Sequence, residues 1–269
     1  MRARSAVFDL YGDHLSERGH WAPISAVVAL LHSCGISPAA TRTAVSRMVA
    51  QGWLSPTVRE DTRGYLARTA TRDRLAAAHD RIYRAQPVPW DGTWHMVVLQ
   101  RPTDRAQRDR VAANLVFLGY GRLSAHTWLA AHRNGELSAA LEGVGVSWEE
   151  FDCRAASEPV DLVRRLWDLT DLAVRYREFA RDTIRLRSQV QAGMPPERAY
   201  PIRADLVHRW RNFLFADPGL PDAVLPADWP GGLAREHFLE VADLLRPAAR
   251  MFVTQTLAAA GVGPTGDPR

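Results

Sequence analysis

Residues 36–54 read ISPAATRTAVSRMVAQGWL, and the way this stretch folds decides what the first third of the chain is. Ser37 carries the short hydroxyl side chain that caps a helix N-terminus. Pro38 has the preset φ that suits the first helical position, and Gly52 supplies a stop. Between those marks Ala44, Val45, Met48 and Val49 make an apolar stripe. Arg42, Thr43, Ser46 and Arg47 recur at i, i+1, i+4 and i+5 on the other side. That polar face either meets water, as on any amphipathic helix, or meets DNA. For DNA the residue types fit: a guanidinium reaches guanine O6 and N7, and hydroxyls reach phosphates or base edges.

Upstream, a helix near 3–15 places Ala6, Val7, Leu10 and His14 on one side. Pro23 opens a second helix whose apolar face is Ile24, Val27, Val28, Leu30 and Leu31, ended by Gly35. Downstream, WLSPTV (53–58), a polar turn REDTRG (59–64) and YLART (65–69) read as two short strands around a loop. A helix over 71–85 follows, with Thr71 as its N-cap. Two helices joined by a three-residue turn, then a hairpin, is the order of a winged helix-turn-helix. Its wing would carry Arg59, Arg63 and Arg68.

Charge points the same way. All 34 basic residues are Arg, which reflects codon usage more than function. Residues 1–86 hold 12 Arg against 7 acids, a balance of +5, whereas 87–269 hold 22 against 23, a balance of −1. A basic excess confined to the first third favours a polyanionic partner there. The two cysteines, Cys34 and Cys153, exclude a disulfide framework and a Cys-rich metal site, and fit a reducing cytosol. Asp9 and Asp13 interrupt the N-terminal stretch, so no signal peptide is read. The apolar run Ile24–Leu31 is too short to span a membrane.

Proline-bearing junctions at QPVPWDG (86–92) and SEP (157–159) divide the chain into 1–86, 87–156 and 157–260, with a Gly/Pro-rich frayed tail at 261–269. The expected class is α+β and multidomain. The middle segment alternates: a strand over 93–100, a helix over 104–120, one or two strands over 121–130, a helix over 134–145 and a strand over 147–155. This is the split βαβ, ferredoxin-like order. The last segment is helical, with a break near Leu169–Thr170, a helix near 197–216, a Pro-rich loop over 217–232 and a final helix kinked or broken at Pro247.

Catalytic patterns are lacking: no Gly-rich phosphate loop follows a strand, and neither GxSxG nor HExxH occurs. His126 and His132 flank a loop without metal-ligand spacing. Small nucleases of ferredoxin-like shape hold a metal with an acid at the end of the first strand. Here Gln100 and Arg101 stand there, and Asp104 comes later as a helix cap. An amide beside a guanidinium is a poor divalent-cation site. No metal, cofactor or catalytic residue is therefore expected. The stretches DLAVRYREF (171–179) and VHRWRNF (207–213) mix Arg, His and aromatic side chains, as an anionic ligand with an apolar part would require. Arg101, Arg175, Tyr176, His208, Arg211 and Trp229 are the candidate effector contacts; ordinary helix packing with exposed arginines is the plainer reading. Most of the nine Trp are expected in cores or domain interfaces.

Four stretches, in order along nearly the whole chain, carry a family resemblance: SAVFDLYGDHL, GISPAATRTAVSRMVAQGWL, WDGTWHMVVL with RDRVAANLVFLGYGRLSAHTWLA, and DPGLPDAVLPADWPG. The chain resembles the phenylacetate-degradation repressors, the PaaX-type transcriptional regulators. The resemblance implies an N-terminal winged helix, a central domain like the small CRISPR-associated nucleases but without their activity, and a helical C-terminal domain. It implies a homodimer on double-stranded operator DNA, released by an aryl- or acyl-coenzyme A thioester such as phenylacetyl-CoA. Arg42, Thr43, Ser46 and Arg47 match the family's reading face, and Arg63, Gly64 and Tyr65 match its wing. Gln100 departs from the pattern, since relatives often carry an acid after the first central strand. Two rivals stay open: a metal-dependent nuclease built on the central domain, and an architectural protein that holds DNA without sequence preference.

Overall fold

The structure, a computed structural model, describes residues 1–59, 61–83, 89–100, 104–190 and 194–263. It is mixed α and β, with two antiparallel sheets among the described residues. The chain packs as two compact units, neither continuous in sequence. Met1–Arg84, Arg181–Arg211 and Glu236–Arg269 form the first; Ala85–Ala180 and Asn212–Arg235 form the second.

The first unit opens with α1 (Ala3–Asp13), a short strand β1 (Trp21–Pro23), α2 (Ile24–Ser33) and α3 (Pro38–Ala50). A hairpin of β2 (Leu54–Arg59) and β3 (Thr62–Ala67) follows, then α4 (Thr69–Tyr83). The caps of α3 are those its sequence calls for. The Ser37 hydroxyl accepts the Ala40 N–H at 3.2 Å, and Pro38 starts the first turn. Gly35 (φ 78°) and Gly52 (φ 74°) take the left-handed backbone that ends α2 and α3.

Three local features differ from the sequence reading. Strand β1 joins the hairpin in the order β1-β3-β2, with Trp21 opposite Leu66 and Pro23 opposite Gly64; three residues are too few for an alternation to show. Arg59 pairs with Thr62, so Thr62, Arg63 and Gly64 belong to β3 and not to the turn; Glu60 lies outside the described residues. Helix α4 starts two residues before the expected cap. Thr71 is buried inside it and donates its hydroxyl to the Trp53 carbonyl at 2.9 Å.

The second unit holds β4 (Trp94–Leu99), α5 (Arg105–Phe117), β5 (Gly121–Arg122), β6 (Thr127–Ala130), α6 (Leu137–Glu142) and β7 (Trp148–Cys153), then α7 (Pro159–Leu166). The sheet order β5-β6-β4-β7, antiparallel throughout, is the split βαβ arrangement. Asp104 caps α5 by accepting the Gln107 N–H at 2.7 Å. Successive side chains on a strand leave by opposite faces, so the apolar run of β4 needs cover on both. Val97 and Leu99 pack with Val111, Leu115, Leu137 and Leu141 of α5 and α6. Trp94 and Met96 pack with Leu162 and Val163 of α7 and with Leu220 and Val224.

Three long helices complete the chain: α8 (Thr170–Gln189), α9 (Pro196–Arg211) and α10 (Gly231–Ala259). The break between α7 and α8 falls at Trp167–Leu169, beside the expected position. The helix expected over 197–216 is α9 followed by a 3-10 turn at Asn212–Phe215. Helix α10 continues through Pro247 without a break. Proline removes one backbone hydrogen bond there, and the buried flanks Leu245, Ala249 and Val253 hold the helix in place. Tyr200 of α9 and Ala249, Val253 and Leu257 of α10 enter the same core as Val7, Leu10, Val27, Leu30, Val45 and Met48. Residues 157–260 are thus shared between the two units. No described helix is long and apolar enough to cross a membrane.

A Cβ on Gly64 would stand 2.6 Å from both the Trp21 ring and the Ala22 carbonyl oxygen. Gly64→Ala is expected to destabilise the first unit by about 1–3 kcal/mol, read as a lower thermal unfolding midpoint. An unchanged midpoint would mean that β1 does not sit against β3 in this way.

Candidate nucleic-acid interface

Helix α3 buries Thr41, Ala44, Val45 and Met48 and leaves Arg42, Thr43, Ser46 and Arg47 exposed. Among the described residues neither arginine has an acidic partner, so both guanidinium groups face solvent with their donors available. The hairpin residues divide by role. Arg63 and Arg68 are exposed. Arg59 is half-buried, with its guanidinium 5.4 Å from the Trp21 ring centroid, a cation–π contact that fixes its direction. Gly64 is buried because the Trp21 ring occupies the space a side chain would need. Tyr65 is half-buried, and its carbonyl accepts the Tyr11 hydroxyl at 2.9 Å. Gly64 and Tyr65 therefore serve the sheet, while the arginines offer charge to a partner.

Sequence reading missed the groups that hold α1, the helix packed against α3. Asp9 and Asp13 entered that reading only as interruptions of an apolar stretch. In the structure both carboxylates are buried and paired. Asp9 takes His208 Nδ1 and Arg211 Nε, each at 2.9 Å. Asp13 takes Arg203 and the Tyr83 hydroxyl, the latter at 2.5 Å. Arg203 also donates to the Ala242 carbonyl at 3.1 Å and to the Tyr83 hydroxyl oxygen at 2.9 Å. Burial, with Arg246 and Arg250 nearby, lowers the Arg203 pKa to about 10, so it stays charged at neutral pH. His14 is lowered to about 4 by burial first, then by Arg18 and Arg250, and is neutral. The signal available in sequence was a pair of acids four residues apart in a helix otherwise apolar on that side.

The described effector candidates fall in both units. His208 and Arg211 belong to the first unit and are engaged by Asp9; Arg211 also lies 5.1 Å over the Phe8 ring. Arg175, Tyr176 and Trp229 belong to the second unit. There Tyr176 stacks on Phe213 at 4.2 Å, meets Trp229 edge-on at 5.8 Å, and donates its hydroxyl to Asp217 Oδ2 at 2.6 Å. Burial and Asp217 push that phenol far above its ordinary range. Arg175 covers the Phe213 ring at 5.2 Å. Arg101 lies outside the described residues.

In the second unit a polar chain runs from buried Tyr120 and His95 to half-buried Glu150. His95 Nδ1 lies 2.7 Å from the Tyr120 hydroxyl and Nε2 lies 3.1 Å from Glu150 Oε2. The other oxygen of Glu150 accepts the Trp148 indole N–H at 2.8 Å. Burial, then Arg133, lowers the His95 pKa. Gln100 is exposed beyond β4, with its N–H on the Ser147 carbonyl at 2.9 Å. Among the described residues no group of three His, Cys, Asp or Glu side chains is arranged to hold a metal ion.

Three family models match successive parts of the chain. They are described as PaaX-like protein over residues 2–69, PaaX protein central Cas2-like domain over 87–160, and PaaX-like protein C-terminal domain over 167–255. The chain is 30% identical over 264 residues to the transcriptional repressor PaaX of Escherichia coli (strain K12), across 93% of this chain and 83% of that protein. A solved structure, the uncharacterized protein Rv0674 from Mycobacterium tuberculosis, is similar with a TM-score of 0.56 and 23% identity. It covers 90% of this chain and 92% of its own, a likeness of fold alone.

Two outcomes follow from the buried charges. Arg203→Met strands the Asp13 carboxylate and is expected to cost about 3–5 kcal/mol, and the double variant Arg203→Met/Asp13→Asn to recover part of it. Strictly additive losses in urea melts would show that the two groups are not coupled. For His14 the folded pKa of about 4 lies below the value near 6.5 in the unfolded chain. As pH falls through that window the unfolded chain takes up a proton that the folded one refuses. Stability is thus full above about pH 6.5 and drops by about 3 kcal/mol by pH 4. His14→Gln should flatten this fall, and identical pH profiles for the two proteins would acquit His14.

Proposed function

The chain belongs to the PaaX family, and from that premise we propose that it is a DNA-binding transcriptional repressor whose α3 reads operator DNA within a winged helix-turn-helix spanning 1–86. The observation that carries this reading is the face of α3. Two arginines, without acidic partners among the described residues, and two hydroxyls stand exposed on one side of a helix whose other side is core. Arg63 and Arg68 add charge beside it for the phosphate backbone, and Arg59 is held in place by Trp21. Residues 87–156 act as the Cas2-like central domain and 157–260 as the helical C-terminal segment. A homodimer sets two reading helices on a pseudo-palindromic site. The protein works in the cytoplasm. Its effector is an aryl- or acyl-coenzyme A thioester, and its targets are genes of aromatic-acid breakdown. Release requires that the effector bind better to a state whose two helices no longer fit both half-sites. Gln100 leaves the end of β4 without an acid, so the reading includes no strand cleavage.

The test is a mobility-shift titration on the DNA upstream of the protein's own gene, with excess non-specific competitor, with and without phenylacetyl-CoA. A shift that survives competitor and is reversed by the thioester supports both the specific repressor and the effector class. A shift lost to competitor overturns the specific reading. Arg47→Ala is expected to weaken operator binding by about 1–3 kcal/mol; an unchanged affinity removes Arg47 from the base-reading set.

A further inference from the structure

Beside the Asp13–Arg203–Tyr83 junction the first unit contains a chamber of about 170 Å³. Its lining includes Arg18, Arg203, Arg246 and Arg250, with His14 and Ser16. We propose that this chamber is an anion site that takes the phosphate or diphosphate group of a small-molecule ligand. The inference deepens the effector reading above, and rests on it only for the identity of the molecule that carries the phosphates.

The charge balance favours an anion. Asp13 is already shared by Arg203 and Tyr83. Glu17 pairs with Arg250 and Asp243 with Arg246, but both carboxylates are exposed and can turn to water. Arg18 is half-buried and donates to a neutral partner, the Thr254 hydroxyl, at 2.6 Å. Arg246 and Arg250 stand at i and i+4 on α10, a like-charge spacing that costs a helix stability unless something negative lies between. Burial first and then the neighbouring Arg18 and Arg250 lower the His14 pKa, while for Arg203 burial and Arg246 lower it and Asp243 raises it. Guanidinium forks match phosphate oxygens two at a time.

Size and position narrow the ligand. At about 30 Å³ per water the chamber holds roughly five or six waters. It is smaller than the ~300–1,000 Å³ of clefts that enclose a drug-sized ligand. One or two phosphate groups fit, and the exposed side chains of Ser16, Arg246 and Arg250 leave a mouth through which the rest of the molecule can extend. An anion in the chamber competes with Asp13 for Arg203, and Asp13 ends the helix that packs against α3. A ligand here therefore has a physical route to the reading helix.

The experiment is calorimetric titration of the full-length protein with inorganic pyrophosphate, ADP, coenzyme A and phenylacetyl-CoA at constant ionic strength. The variants are Arg246→Gln/Arg250→Gln and, in case that pair folds poorly, Ser16→Asp, which adds a charge at the mouth and deletes no contact. Saturable pyrophosphate binding, weakened at least tenfold in either variant while operator affinity is unchanged, supports the site. No pyrophosphate binding, or equal binding in wild type and variants, overturns it. Coenzyme A binding with the same loss identifies the phosphates as the effector's; binding of ADP and pyrophosphate without coenzyme A assigns the site to a free nucleotide. Pyrophosphate binding in a protein whose DNA complex ignores phenylacetyl-CoA keeps the site and removes the effector reading. Release of DNA from the Arg246→Gln/Arg250→Gln protein at the wild-type thioester concentration overturns the link between them.

Discussion

Two buried carboxylates on α1 organise the first unit. A carboxylate removed from water is costly unless cations and hydrogen-bond donors meet it. Asp9 and Asp13 are met by His208, Arg211, Arg203 and Tyr83, all but the last from α9. This chemistry does little for net stability compared with an apolar contact of the same size. It does set which turn of α9 lies against which turn of α1, because any slip leaves charge buried without a partner. Helix α1 in turn packs against α3, so the seat of α3 depends on residues that lie on α9, far along the chain.

Arginine serves opposite ends in the same unit. On α3 it is exposed, with no acidic partner among the described residues, which suits a polyanion that arrives from solvent. On α9 it is buried and satisfied, which suits a fixed junction. Around the chamber beside that junction it is half-exposed, between the two. The planar, always-charged guanidinium can do all three, where a lysine would give up its proton more readily on burial. The net excess of the N-terminal third is thus only a coarse guide, since several of the charges that matter to it sit on α9 and α10.

The central sheet is packed on both sides. Both faces of β4 are covered by apolar side chains. The polar chain of Tyr120, His95 and Glu150 is closed at its outer end by Trp148 and Arg133, which donate to Glu150. Its histidine is held down by burial and by Arg133. At the end of β4 stands an exposed amide, Gln100.

The sequence by itself determined the local elements. Ser37 and Pro38 start α3, and Gly35 and Gly52 end α2 and α3, through backbone preferences local to each residue. The four polar residues of the outer face of α3 follow from helical spacing. The strand and helix order of the middle segment follows from local periodicity, and so does the break after α7. Only the tertiary structure decided what those elements meet. The strand β1 is too short to carry a pattern and exists because β3 offers it a ladder. Thr71 looks like a cap until Trp53 supplies its acceptor. Asp9 meets His208 and Arg211, and Asp217 and Phe213 meet Tyr176, partners that no spacing announces. Partners so far apart in the chain leave no spacing to read, because a buried charge or a ring is satisfied by whatever folding brings within a few ångströms of it.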